Sequence, residues 1–127
     1  MIKTYHIKVT TAGGAGVAVG NADSSSLIVG EVVGVYLKST GQPATVDTVL
    51  KTKGSSAPSY ILLTVTSSVL DGFYAPRAKP VDNANAAIAN AHAPFSVADF
   101  LNLDVAQGDA AGTVEAWVLV DDKRDSP

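Results

Sequence analysis

Residues 27–39 read LIVGEVVGVYLKS. The stretch is rich in β-branched residues, and strict alternation would put Val33, Val35 and Leu37 on one face, with Val32 and Tyr36 opposite. A period of two predicts a strand. Gly30 and Gly34 interrupt it, and glycine inside a strand marks a bulge or the close approach of another backbone. Upstream, IKTYHIKVT (2–10) places Tyr5, Ile7 and Val9 on one face and Thr4, His6 and Lys8 on the other. TAGGAGVAVGN (11–21) is glycine-dense turn sequence with a short strand around Val17 and Val19, and ADSSS (22–26) is a turn cluster.

Downstream the same class continues. STGQP (39–43) is a turn, and ATVDTVLKTK (44–53) alternates, with Val46 and Leu50 on one parity and Thr45, Asp47 and Val49 on the other. YILLTVTSSV (60–69) is apolar on both faces and is predicted to be a central strand. FYAPRAKPVD (73–82) carries two prolines, which donate nothing to a ladder, so it reads as an extended edge or a loop. Near the C-terminal side Leu101, Leu103 and Val105 alternate. So do Val114, Ala116, Val118 and Val120, with Trp117 and Leu119 on the opposite face. About seven or eight strands separated by turns predict an all-β protein, a single-domain β-sandwich or jelly-roll-like fold. It spans residues 1–122, with a long loop near 80–95 and a polar tail at 123–127.

Composition narrows the function classes. The net charge is −3, and the nine basic residues form no stripe, which argues against nucleic acid as a partner. There is no cysteine, so disulfides, thiolate metal sites and cysteine nucleophiles are excluded. No stretch approaches the roughly 20 apolar residues that cross a bilayer, and no secretory leader is visible, so a soluble protein made in the cytoplasm and binding no membrane is expected.

Chemistry-bearing motifs are scarce. GGAGVAVG (13–20) invites a phosphate-cradling reading, but its glycine spacing fails GxGxxG and no helix follows, leaving a turn. His6 and His92 stand far apart, without metal-ligand spacing, and read as ordinary polar side chains. Asp99, Asp104 and Asp109 raise the question of paired catalytic carboxylates or of calcium at a turn. A glycosidase groove is usually lined with aromatic rings, and Trp117, four tyrosines and three phenylalanines are few, so Asp99 and Asp109 are read as turn residues and no enzyme is expected. No cofactor or metal is assigned. YAPRAKP places Tyr74, Pro76 and Arg77 together, an aromatic, a rigid kink and a guanidinium of the kind that anchors interfaces.

The order of these segments resembles a known family. GEVVGVYLKSTGQPATVDTVLKT, then YILLTVT, then YAPRAKPVDN with its YxPR element, a small-residue insert, and APFSVADFLNLDVAQGDAAGTVEAWVLVDD together resemble the capsid decoration (cement) proteins of tailed bacteriophages. The resemblance covers residues 27–122 and implies a jelly-roll-like β-sandwich that forms a homotrimer. It implies a place on the capsid exterior of the virion, at three-fold or quasi-three-fold positions, bound to the major capsid protein. It brings no catalytic residues. Tail and baseplate proteins share similar sandwiches, so a binding module for a receptor or carbohydrate is the alternative. That module would need an exposed aromatic platform, with Tyr36, Tyr74 or Trp117 as its members.

Three regions are the expected partner contacts. The first is the N-terminal strand, through Tyr5 and Ile7, and the second is Tyr74 to Lys79, through Tyr74, Pro76 and Arg77. The third is NANAAIANAHA (83–93), through Asn85, Ile88, Asn90 and His92. That tract lies between Pro80 and Pro94 and is read as a long partner-facing loop. Its alanines leave room for a neighbouring backbone, and its amides bond without a charge to desolvate.

Overall fold

The computed structural model describes residues 2–54, 58–66, 71–78 and 93–122. The long strands are β1 (Ile2–Thr10), β2 (Ala18–Asp23), β3 (Ile28–Thr40), β4 (Asp47–Thr52) and β5 (Ile61–Val65), then β10 (Leu101–Gly108) and β11 (Thr113–Asp121). Between them lie the short β6 (Gly72–Tyr74), β7 (Arg77–Ala78), β8 (Ala93–Pro94) and β9 (Ser96–Asp99).

One antiparallel sheet runs β1-β11-β3-β6, with β9 also pairing β3; the other runs β2-β10-β4-β5. The pairing is nested. The first strand pairs with the last (β1·β11), the second with the next to last (β2·β10), the third with β9 and the fourth with β5. Successive nested pairs alternate between the two sheets, which is how a jelly roll wraps. The all-β sandwich expected from alternation is what the chain forms.

The core lies between the sheets and is supplied by the expected parities. Ile7 and Val9 of β1, and Val114, Ala116, Val118 and Val120 of β11, face Leu50 of β4 and Leu101, Leu103 and Val105 of β10, all buried. Aliphatic side chains dominate because two sheets about 10 Å apart leave room for interdigitated β-branched and leucine side chains.

Strand β3 departs from strict alternation. Leu119 pairs with Gly34 but Val120 pairs with Val32, so Val33 is an extra residue. This bulge turns Val32 inward beside Val35 and Leu37 and leaves Val33 exposed. The two glycines account for it from different sides. Gly30 has φ +142°, and a Cβ there would run into the Asp121 carbonyl oxygen. A Cβ on Gly34 would run into the Phe73 ring instead.

Strand β5 is a second correction. It lies at the edge of its sheet, not the centre, and its Ile61 is 55% exposed while Leu62 is buried. In a two-layer sandwich every strand has one uncovered face, so apolar residues on both faces do not locate the middle. The centre belongs to β10 and β4, whose alternation is stricter. Two smaller boundaries also move: β2 starts at Ala18, so Val17 lies outside it, and Ala22 and Asp23 of the expected turn belong to β2. The described part of the proline segment, through Ala78, runs as extended edges, with β6 on β3 and β7 on β8; residues 79–82 lie outside the described residues.

Candidate functional site

The outer face of the larger sheet carries a row of rings. His6 of β1 stands opposite Trp117 of β11, Trp117 opposite Tyr36 of β3, and Tyr36 opposite Phe73 of β6. Four strands thus contribute one aromatic each at the same level. The His6 and Trp117 rings stack, with centroids 4.9 Å apart and planes at 28°. Tyr36 is tilted by 59° to Trp117 at 5.9 Å, so the two do not cover each other's faces. His6 Nε2 lies 2.8 Å from Glu115 Oε2, which fixes the imidazole against the indole. At the far end Phe73 occupies the space a side chain on Gly34 would take. Tyr36 and Phe73 remain 43% and 59% exposed.

A charged row, Lys8 opposite Glu115 opposite Lys38, runs beside the rings on one side. On the other side Thr4, Leu119 and Gly34 are aligned. The face is therefore a short aromatic strip with a charged border on one side.

The outer face of the second sheet carries a polar patch at one end of β2, β10 and β4. Asp23, Asn102 and Lys51 align across β2, β10 and β4, with Asn21 opposite Asp104 in another row. With Lys53 they line a shallow depression of about 380 Å³. Lys53 Nζ lies 3.0 Å from Asp23, Lys51 Nζ lies 3.8 Å from Asp104, and the Asn102 amide donates to Asp23 at 2.9 Å. Positive and negative groups here satisfy each other, which leaves no concentrated charge for an ionic ligand.

The Asn102 amide bond and the Lys53 ammonium hold the Asp23 carboxyl below its ordinary value of 3.8. A lowered folded-state value stabilises the fold above the unfolded value, and that contribution disappears as pH falls through the folded one. Asp23→Asn is therefore expected to cost no more than about 1 kcal/mol at pH 7, because the pair is solvent-screened. In urea melts taken across the acid range, the difference from the parent is expected to shrink steadily as pH falls below the ordinary value of 3.8.

The three aspartates do not form a catalytic pair. Asp99 and Asp109 stand ten positions apart along and just beyond β10, roughly 30 Å in extended chain. Asp99 is buried, and its carboxylate accepts the N–H groups of Gly54 and Phe100, both at 2.8 Å. Asp109 accepts the N–H of Gly16 at 2.9 Å, closing the glycine-rich segment against the β10–β11 turn. Both therefore tie loops, and the glycine run meets a carboxylate of its own chain. Among the described residues no three His, Asp or Glu side chains gather as a metal site, and no helix is long and apolar enough to cross a membrane.

The expected partner contacts divide into three. Ile7 is 2% exposed and Tyr5 packs on the core, so the inward parity of β1 offers a partner little. The outward parity, with His6, is the surface that β1 presents. Tyr74 also packs on the core and Pro76 is buried, which leaves the exposed Arg77. Its Nη1 donates to the Pro76 carbonyl at 2.9 Å. Asn85, Ile88, Asn90 and His92 lie outside the described residues, as do Lys79 and the tail. Of the three platform rings considered from sequence, Tyr36 and Trp117 come together and Tyr74 does not. Phe73 and His6 complete the row. Each sits on the outward parity of its strand, but only the pairing register aligns them.

Comparison with protein-family models gives no match, and comparison with curated proteins gives none either.

Proposed function

We propose that this chain is a structural virion protein: a capsid decoration protein that binds, as a homotrimer, to the outer surface of the major capsid subunits of a tailed-phage head. The observation that supports this reading is the anchoring of the Ala/Asn-rich stretch. Arg77 pairs with Pro94 and Ala78 with Ala93, so the described residues on either side of 79–92 are paired with each other. Paired flanks suit a partner-facing stretch between them, since they lower the ordering entropy lost on contact with a neighbouring subunit.

Replacing residues 84–91 by Gly/Ser is expected to spare folding while weakening both trimer formation and attachment to expanded empty heads. Light scattering reads the first and co-sedimentation the second. A parent protein that stays monomeric and does not bind heads would overturn the proposal. Unchanged assembly in the variant would reduce the tract to a connector.

A second reading, a tail or baseplate module that recognises a receptor or carbohydrate, is favoured by one observation: the ring row on the outer face of the larger sheet. Immunogold labelling of intact particles separates head from tail placement.

A further inference from the structure

We infer that the open faces of Tyr36 and Phe73 form a binding platform for a neutral oligosaccharide, with Trp117 and His6 as its positioning residues. The inference deepens the carbohydrate reading of this face and does not depend on where in a virion the protein sits.

The rings are held in place before any ligand arrives. Trp117 has one face stacked on His6, whose Nε2 is in turn engaged by Glu115. Tyr36 leans against Trp117 at 59°, so its own face is not closed by stacking. Phe73 stands directly opposite Tyr36 and is seated over Gly34, where the missing side chain gives it room. Two exposed rings are thus set side by side on neighbouring strands. Little rotamer freedom remains to be lost on binding, which favours affinity.

The size of the strip selects the occupant. An aromatic side chain carries about 150–250 Å² of surface, so rings exposed to 43% and 59% offer about 200 Å² together. A stable protein interface needs about 800 Å² from each partner. A protein partner would have to draw the rest from both flanks of the rings, from the Thr4 and Leu119 side with exposed Ile2 and Val33 and also from the charged Lys8, Glu115 and Lys38 row, where desolvation opposes binding. A drug-like or cofactor ligand is enclosed by a concave site, and this is the outward face of a sheet. Ligands that use open ring faces are flat on one side and polar at the rim, which leaves nucleobases and pyranose sugars. Nucleobases come with phosphates, and the nine basic residues of this chain form no stripe to follow them. A pyranose places its C–H face on a ring and its hydroxyls towards Glu115 and Lys38 in the bordering row.

Trp117 is the single tryptophan and adjoins Tyr36, so its emission reports on the site. The full chain is titrated with cellohexaose, chitohexaose, a heparin-derived hexasaccharide and a dT6 oligonucleotide, by fluorescence and by calorimetry. A saturable response to at least one of the two neutral hexaoses is expected. Tyr36→Ala and Phe73→Ala are each expected to weaken that binding by about tenfold. Gly34→Ala is expected to weaken it too, by pushing Phe73 aside, with the unfolding midpoint nearly unchanged because the exposed ring can swing outward. Trp117→Phe is expected to retain most of the affinity and Trp117→Ala to lose it, as a positioning role requires; calorimetry reads both. Asp104→Asn on the opposite sheet is the control and leaves binding intact. Binding confined to the heparin fragment or to dT6 overturns the proposal, as does no response to either neutral hexaose. Neutral-sugar affinity untouched by Tyr36→Ala and Phe73→Ala overturns the assignment to this face. Trimer formation and head attachment are measured apart from sugar binding, so failure of one reading is distinguishable from failure of the other.

Discussion

Gly30→Ala is expected to destabilise the protein by about 3–5 kcal/mol, which is a large part of the stability of a domain this size. Two effects add. The backbone at Gly30 has φ +142°, a conformation that side chains strongly disfavour. In addition, the new methyl would meet the Asp121 carbonyl oxygen and a methyl of the buried Val120, where β11 crosses β3 next to the bulge. Main chain in the middle strand of the larger sheet has nowhere to retreat. Urea unfolding followed by far-UV circular dichroism should show a markedly lower midpoint with an unchanged slope. A midpoint within measurement error of the parent would mean that β3 and β11 do not approach as described. Gly34 gives the internal contrast, since the atoms that block a side chain there belong to the exposed Phe73 ring, which can move.

Leu103→Ala is expected to cost about 2–5 kcal/mol. Leu103 is fully buried in the middle of β10 and lies opposite Leu50 of β4 on one side and Ala22 of β2 on the other. Strands on both sides fix its backbone, so the sheet cannot close over the lost volume, and a cavity adds to the lost burial. Leu62→Ala on the edge strand β5 should cost less, because β5 pairs only with β4 among the described strands and can settle inward. Thermal melts of the two variants side by side test the ranking, and equal losses would contradict it.

How far the fold can be read from residues depends on which neighbour acts on each. For Leu101, Leu103 and Val105, and for Val114 to Val120, parity alone places the side chains in the core, because those strands pair on both sides and keep a period of two. For Val32 and Val33 it does not. Gly30 and Gly34 signal an irregularity there, but the position of the extra residue depends on how β11 pairs with β3. The edge place of β5 is likewise a property of the whole sheet rather than of YILLTVT. The ring row is the strongest case. His6, Tyr36, Phe73 and Trp117 are separated by up to 111 positions, and each is an unremarkable outward residue on its own strand. Only the register brings them level. Tyr5 and Ile7 share the inward parity of β1, so the same alternation that marks the strand turns them toward the core rather than toward a partner.

The nested pairing also governs the order in which the molecule can be completed. During synthesis β1 emerges long before β11, the strand with which it pairs among the described residues. Until β11 arrives, the larger sheet lacks the strand that joins β1 to β3, and the apolar faces of both are open to solvent or to other nascent chains. Local hairpins such as β4·β5 can form early, but they belong to the other sheet. Folding of this sandwich is therefore gated by its latest strand, and a ribosome that stalls before residue 113 would release a chain without the centre of its larger sheet.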